Sequence, residues 1–329
     1  MVFIRGKGIL MNNNITQEKI LEFAYPYTTH KKNLLLSVGV ITPNGIEKMC
    51  IGEDGAVCDL TNHSYEIGSI TKSFVASLVA SLVERDIIHL SDEVLNGVML
   101  YQLLTHSSGI EEYPIQNAIL DNPFSCIFKS DIDAHIENVS IDHNQEWSYS
   151  NLGFALIGTY LERKLNRTFP EILEEFIRDS LHLGNTRIGY SGAELIGNTG
   201  TDTIRWCWDE ESVFLPAGCL VSTLSDMISY VKLHMTDNVY SICHDTHLIT
   251  GQPFDMGLAF MKQKESDVVF CAGLTPGFSS VVGFDKDKRY GVVVLSNYCG
   301  FGYGNRDVPM GIGISILEHL SENNQSSIH

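Results

Sequence analysis

Positive charge is scarce in this chain: 22 Lys and Arg stand against 40 Asp and Glu, a formal net charge of −18 at pH 7. That balance argues against binding through neutralised nucleic-acid phosphates and against docking on an anionic membrane surface. Long apolar runs are missing too, so neither a membrane span nor the apolar segment of a signal peptide is recognised, and 1–14 reads as a disordered arm. Cysteine occurs eight times, yet without a Cys-x-x-Cys pair or a repeating spacing. Scattered thiols of that kind fit a reducing compartment, and a cytoplasmic protein is the expectation. Internal repeats and low-complexity tracts are absent.

Cofactor signatures are equally thin. Cys243-His244-Asp245-Thr246-His247 crowds ligand types together but has no clear fourth ligand. Gly300-Phe301-Gly302-Tyr303-Gly304 follows a strand pattern, but Asn305 stands where the dinucleotide fingerprint needs glycine, so it reads as a Gly-rich turn. No metal and no cofactor are expected.

What is present is enough chain for a large core: 329 residues, 44% of them hydrophobic, suit one large domain or two packed subdomains. Residues 15–23 read as a short helix, 34–42 and 46–51 as a hairpin around Pro43-Asn44-Gly45, and 52–62 as a polar connection. Helical patterns follow near 70–83 and 101–110, after Tyr149-Ser150-Asn151, at 169–181 and at 224–235. Strand patterns return at 256–261, 268–271, 279–284 and 290–295, before a helix over 308–320. Strands at both ends around a helical middle predict an α+β fold: a central antiparallel sheet flanked by helices, with an inserted, mostly helical subdomain. The expected division is 15–66 with 254–329 as the sheet part and 67–253 as the helical part, with the active site between them.

One stretch carries chemistry. Ser69-Ile70-Thr71-Lys72 opens the helix patterned by Ile70, Phe74, Val75, Leu78, Val79 and Leu82, and residues three apart share a helix face. A serine hydroxyl needs an adjacent base to act as a nucleophile, and a lysine serves only when it spends time neutral. The positive end of a helix and burial in a cleft both disfavour an ammonium. The spacing alone decides nothing, because Ser229-Tyr230-Val231-Lys232 repeats it.

Its company decides more. Ser69-Ile70-Thr71-Lys72, Tyr149-Ser150-Asn151 and Gly273-Leu274-Thr275-Pro276-Gly277-Phe278 occur in the order of the active-site elements of the serine β-lactamase and penicillin-binding-protein superfamily. Leu103-Leu104-Thr105-His106-Ser107-Ser108-Gly109, Pro216-Ala217-Gly218 and Val293-Val294-Leu295-Ser296-Asn297 also resemble its class C and esterase-like branch. The resemblance implies a β-lactamase/transpeptidase-like fold and an acyl-enzyme on Ser69, with Lys72 as base or electrostatic partner and Tyr149 as proton carrier. It implies Asn151 as a substrate-binding amide, and Ser69 and Leu274 N–H groups as the oxyanion hole beside Gly273. His106 and Trp206-Cys207-Trp208 read as loop packing and cleft wall.

The pattern departs at Cys271, which stands where the family usually has Lys or His. A cysteine carries no stable positive charge, so recognition of a substrate carboxylate there is not expected unless Lys262 or Lys264 is brought round. A serine hydrolase or acyltransferase for a small ester, amide or peptide is therefore favoured over a β-lactamase or D-Ala-D-Ala-type peptidase. A non-catalytic binding protein that retains the fold is the third reading. The partner is a small-molecule or peptide substrate, and the oligomeric state is left open.

Overall fold

The computed structural model describes residues 15–113, 122–142, 144, 146–299 and 309–325. The arm at 1–14 and the Gly300–Gly304 turn lie outside them.

An eight-stranded antiparallel sheet is assembled from both ends of the chain. Its N-terminal strands are β1 (Leu36–Thr42), β2 (Gly45–Ile51) and β3 (Val57–Cys58). After β4 (Ser64–Glu66), the short pairs β5 (Glu93–Leu95) with β6 (Val98–Met99) and β8 (Gly197–Asn198) with β9 (Thr203–Ile204), and the strands β7 (Arg187–Ile188) and β10 (Leu220–Thr223), the sheet resumes. It continues with β11 (Phe254–Met256), β12 (Met261–Gln263), β13 (Val269–Thr275), β14 (Phe278–Asp285) and β15 (Tyr290–Ser296). The order is β11-β12-β13-β14-β15-β1-β2-β3, with Leu36 opposite Ser296 where the two ends meet.

Period-two alternation explains why the central strands read as continuous apolar runs: both faces are covered. Leu36, Val38, Val40, Val292 and Val294 face a core with α1 (Gln17–Thr28) and α9 (Met310–Gln325). Ile41, Val293, Leu295, Val282 and Phe284 face the opposite core, where α2 (Thr71–Glu84) and α8 (Leu224–Thr236) lie. The helices α3 (Leu100–Leu104), α4 (Lys129–Ile136), α5 (Asn151–Leu165), α6 (Phe169–Glu175) and α7 (Leu215–Gly218) come from the middle of the chain. The mixed α+β architecture expected from the sequence is the one observed.

Buried α2 is the pivot. Every residue from Thr71 to Ala80 is buried, so helices and sheet enclose it on all sides. Phe74 stacks on Tyr230 with ring centroids 4.0 Å apart. Truncating so enclosed a phenylalanine costs about 3–5 kcal/mol.

Several expected boundaries moved. The first helix runs on to Thr28 through Pro26, because buried Ala24 and Tyr27 reward the extra turn, and the Tyr27 hydroxyl reaches Ser296 Oγ at 2.9 Å. The 52–62 connection contains β3, the last strand of the sheet. The 256–261 pattern is two strands, since Leu258 and Ala259 spend their N–H groups on the Cys243 and Leu104 carbonyls. The 169–181 pattern is α6 followed by a π-helical turn, Phe176–Ser180. Among the described residues, no helix is long and apolar enough to cross a membrane.

Candidate active site

The nucleophile candidate is placed by two close approaches. Ser69 lies in a tight turn, Gly68–Ile70, that feeds α2. Gly68 has φ +50°, and a Cβ there would stand 2.7 Å from Leu274 O. A Cβ on Gly273 would stand 1.8 Å from Ile67 O. Only glycine at both positions lets β13 cross this closely over the turn.

That crossing exposes useful backbone. Pairing of β12 with β13 stops at Phe270, so beyond it β13 has a free edge. Gln263 N–H bonds Val268 O at 2.9 Å. By alternation, the amide groups of Phe270, Ala272 and Leu274 turn to that same side, and among the described residues those of Ala272 and Leu274 meet no strand there. Ser69 and Leu274 both line the space beside this edge, so their N–H groups are the candidates to stabilise an oxyanion.

The side chains converge on Ser69 Oγ. Tyr149 OH lies 2.6 Å from it and Lys72 Nζ 3.2 Å from it. Lys72 is 2% exposed and also donates to Asn151 Oδ1 at 2.9 Å and to the Ala217 carbonyl at 2.5 Å. Three acceptors match the three N–H bonds of an ammonium. Its nitrogen also stands 5.0 Å from the Tyr149 ring centroid. With Oδ1 engaged by Lys72, Asn151 keeps its amide NH₂ for a ligand.

Two residues hold Tyr149 and Asn151: His106, read from the sequence as loop packing, and Glu112, which the sequence reading passed over. The His106 carbonyl accepts from Ser148 N–H at 2.8 Å and its Nδ1 accepts from Ser150 N–H at 3.1 Å, so one residue grips both neighbours of Tyr149. The imidazole also packs against the Tyr149 ring at 4.5 Å. Burial, with the charge of Lys72 adding to it, pushes His106 down to about 3, so Nδ1 stays a neutral acceptor. The Glu112 carboxylate accepts from Asn151 N–H at 2.8 Å and Leu152 N–H at 2.9 Å, while Ser150 Oγ caps Gly153 N–H. A carboxylate at a helix N-terminus satisfies orphan donors and meets the positive end of the dipole. Nothing in the local sequence marks Glu112, because it approaches α5 from another loop.

Above these groups opens a cleft of about 610 Å³. Ser69, Tyr149, Asn151 and Leu274 line its floor, and Phe124, Trp147, Trp206, Trp208 and Phe254 form aromatic walls. Among the described residues lining it, none is charged. The two tryptophans expected in the cleft wall are there.

Cys271 is set apart from this group. Its side chain is 3% exposed and does not line the cleft, whereas Ala272 and Leu274 do. Burial pushes its thiol up to about 12, so it is an inert packing group. Lys262 pairs with Asp267 at 3.6 Å and Lys264 with Asp255 at 3.4 Å, so neither replaces the missing cation. His244, from the ligand-like run, bonds the buried His234 ring at 2.8 Å.

Comparison with known proteins agrees with this fold. Protein flp of Staphylococcus aureus (strain N315) is 22% identical over 268 residues, covering 71% of this chain and 52% of its own length. The chain thus spans about half the length of that relative. Penicillin-binding protein 4* of Bacillus subtilis (strain 168) is 24% identical over 277 residues, covering 72% of this chain and 61% of its own length. A solved class C β-lactamase in complex with cefoxitin shares the fold, with a TM-score of 0.74 over 92% of this chain and 98% of its own, at 17% identity. The family model described as Beta-lactamase matches residues 61–307, and the chain belongs to that family.

Proposed function

We propose that this protein is a serine hydrolase or acyltransferase that forms an acyl-enzyme on Ser69 with an uncharged ester, amide or peptide. The observation that carries the reading is the convergence of Tyr149 and Lys72 on Ser69 Oγ at the floor of a cleft that no charged side chain lines among the described residues.

In this reading Ser69 Oγ attacks the substrate carbonyl. Its proton passes along the 2.6 Å contact to the Tyr149 oxygen, and the phenol delivers a proton to the departing group. Lys72 supplies fixed positive charge beside both oxygens, and Asn151 orients the substrate. The N–H groups of Ser69 and Leu274 receive the oxyanion. Water, or a second nucleophile, then resolves the acyl-enzyme by the same proton path in reverse. With Lys72 engaged at Ser69 and no charged side chain among the described residues that line the cleft, neutral substrates are favoured over carboxylate-bearing ones. Family membership keeps β-lactam or D-alanyl peptide turnover as the second reading.

The test is intact-mass spectrometry of wild type and Ser69→Ala after exposure to a fluorophosphonate, p-nitrophenyl esters with neutral or anionic acyl groups, and a β-lactam. A mass increment confined to wild type, with faster turnover of the neutral esters, is expected. An unmodified Ser69 in folded protein overturns the acyl-enzyme. Preference for the anionic ester or the β-lactam overturns the substrate class in favour of the second reading.

A further inference from the structure

One buried carboxyl joins three parts of the cleft. Glu66 ends β4, three residues before Ser69, and is 4% exposed. Its Oε1 accepts from Trp206 N–H at 3.1 Å, and its Oε2 lies 2.7 Å from Thr275 Oγ1. Thr275 directly follows Leu274, and both Thr275 and Trp206 line the cleft. The carboxyl therefore ties the lead-in to the nucleophile, the free edge of β13 and the aromatic wall to one another.

We propose that Glu66 is a positioning residue whose protonation decides whether the Thr275 hydroxyl donates to Glu66 or into the cleft, and so whether the cleft offers a donor to an acceptor oxygen of the substrate. The proposal rests on the Ser69 acyl-enzyme reading. An ionised carboxylate only accepts, so Thr275 must turn its proton toward Glu66. A protonated Glu66 donates to Thr275 Oγ1 instead, which frees the threonine proton for a ligand. The substrate class follows: esters or amides whose acyl group carries a neutral acceptor oxygen, such as an ether or second carbonyl.

The surroundings favour the protonated form at neutral pH. Burial pushes Glu66 up to about 8 against the lowering influence of its Thr275, Trp206 and Ala193 hydrogen bonds. The Arg205 guanidinium, which lowers it least of these, is already donated to the Ser191 and Ala193 carbonyls. Loss of the Thr275 donor is thus expected at mildly alkaline pH.

Glu66→Gln tests this, because its amide accepts from Trp206 and donates to Thr275 as the protonated acid does. The kcat/KM for p-nitrophenyl methoxyacetate is measured against pH for both proteins. Between about pH 7 and about pH 9 the wild-type value falls roughly tenfold relative to the variant, as expected for titration of one group. A ratio that stays constant with pH overturns the proposal. Tryptophan fluorescence titrated over the same range reads Glu66 without any turnover, so it separates failure here from failure of the acyl-enzyme reading. A transition near pH 8 in wild type and absent from Glu66→Gln supports the proposal, and coincident curves overturn it.

Discussion

The phenolic oxygen of Tyr149 lies 2.6 Å from Oγ of Ser69, closer than the 3.2 Å that separates Lys72 Nζ from the same atom. In the proposed mechanism Tyr149 is therefore the nearer proton carrier. Tyr149→Phe keeps the ring and its packing on His106 but removes the relay. Its kcat/KM for an ester is expected to fall by roughly a hundred- to ten-thousandfold. Steady-state kinetics beside an unchanged melting curve make the check, and wild-type rates would return the role to Lys72.

Glu112 receives two N–H groups from the first turn of α5. Glu112→Ala should lower stability by about 1–2 kcal/mol, the usual cost of a lost N-terminal cap with its dipole interaction. Activity should fall as well, because Asn151 begins that helix and Tyr149 immediately precedes it. Urea denaturation and ester kinetics read the two effects. Unchanged values in both would show that the cap is idle.

At Gly273 a methyl group would collide with the Ile67 carbonyl at 1.8 Å. Gly273→Ala is expected to push β13 away from the Ser69 turn and misplace Leu274 N–H. A lost oxyanion donor costs roughly a hundred- to thousandfold in kcat. Circular dichroism separates this from global unfolding, and a folded variant with native kcat would contradict the close-crossing account.

Stability should peak close to pH 6.5. Burial holds His234 well below its ordinary 6.5 and takes His106 and His244 to about 3. As pH falls below 6.5 the unfolded chain therefore takes up three protons that the folded chain refuses, and stability drops. Glu66 acts oppositely: the folded chain keeps a proton up to about 8 that the unfolded chain loses near 4.5, so stability declines as pH rises across that interval. Below 6.5 the three imidazoles outweigh the one carboxyl; above it Glu66 slopes downward, and near pH 9 the buried thiols of Cys50, Cys219, Cys243 and Cys271, raised by burial, slope the same way. Each such proton amounts to about 1.4 kcal/mol per pH unit. Calorimetric Tm against pH checks the maximum, and a Tm that climbs steadily to pH 9 would refute it.

The Ser-x-x-Lys spacing was legible but mute, as its second copy demonstrates. Ser229 is exposed, its hydroxyl merely back-bonds to Ser225 O at 3.1 Å, and Lys232 is exposed. Ser69 and Lys72 differ only in what the fold brings to them. The ordered motifs disclosed Tyr149, Asn151 and Leu274, because each belongs to a local turn or cap with its own pattern. Glu112, the Ala217 carbonyl and the Glu66 clamp were not readable, since each acts across elements distant in sequence. At Cys271 motif alignment pointed to the substrate, but the commoner fate of a free cysteine, packing at the end of a strand, is what its burial shows. The sheet was largely legible because its central strands are short, continuous apolar runs. Two-residue β3 was too short for a pattern, and the three-residue β11 and β12 were read as one strand.

The pairing of Leu36 with Ser296 also sets when the site can exist. The β13 edge that completes it lies in a sheet whose two ends must meet across almost the whole chain. Loop closure over such a span makes native pairing late and slow relative to formation of local helices. During synthesis α2 can therefore form long before the proposed oxyanion hole. A nascent chain would carry its candidate nucleophile unarmed until the C-terminal strands arrive.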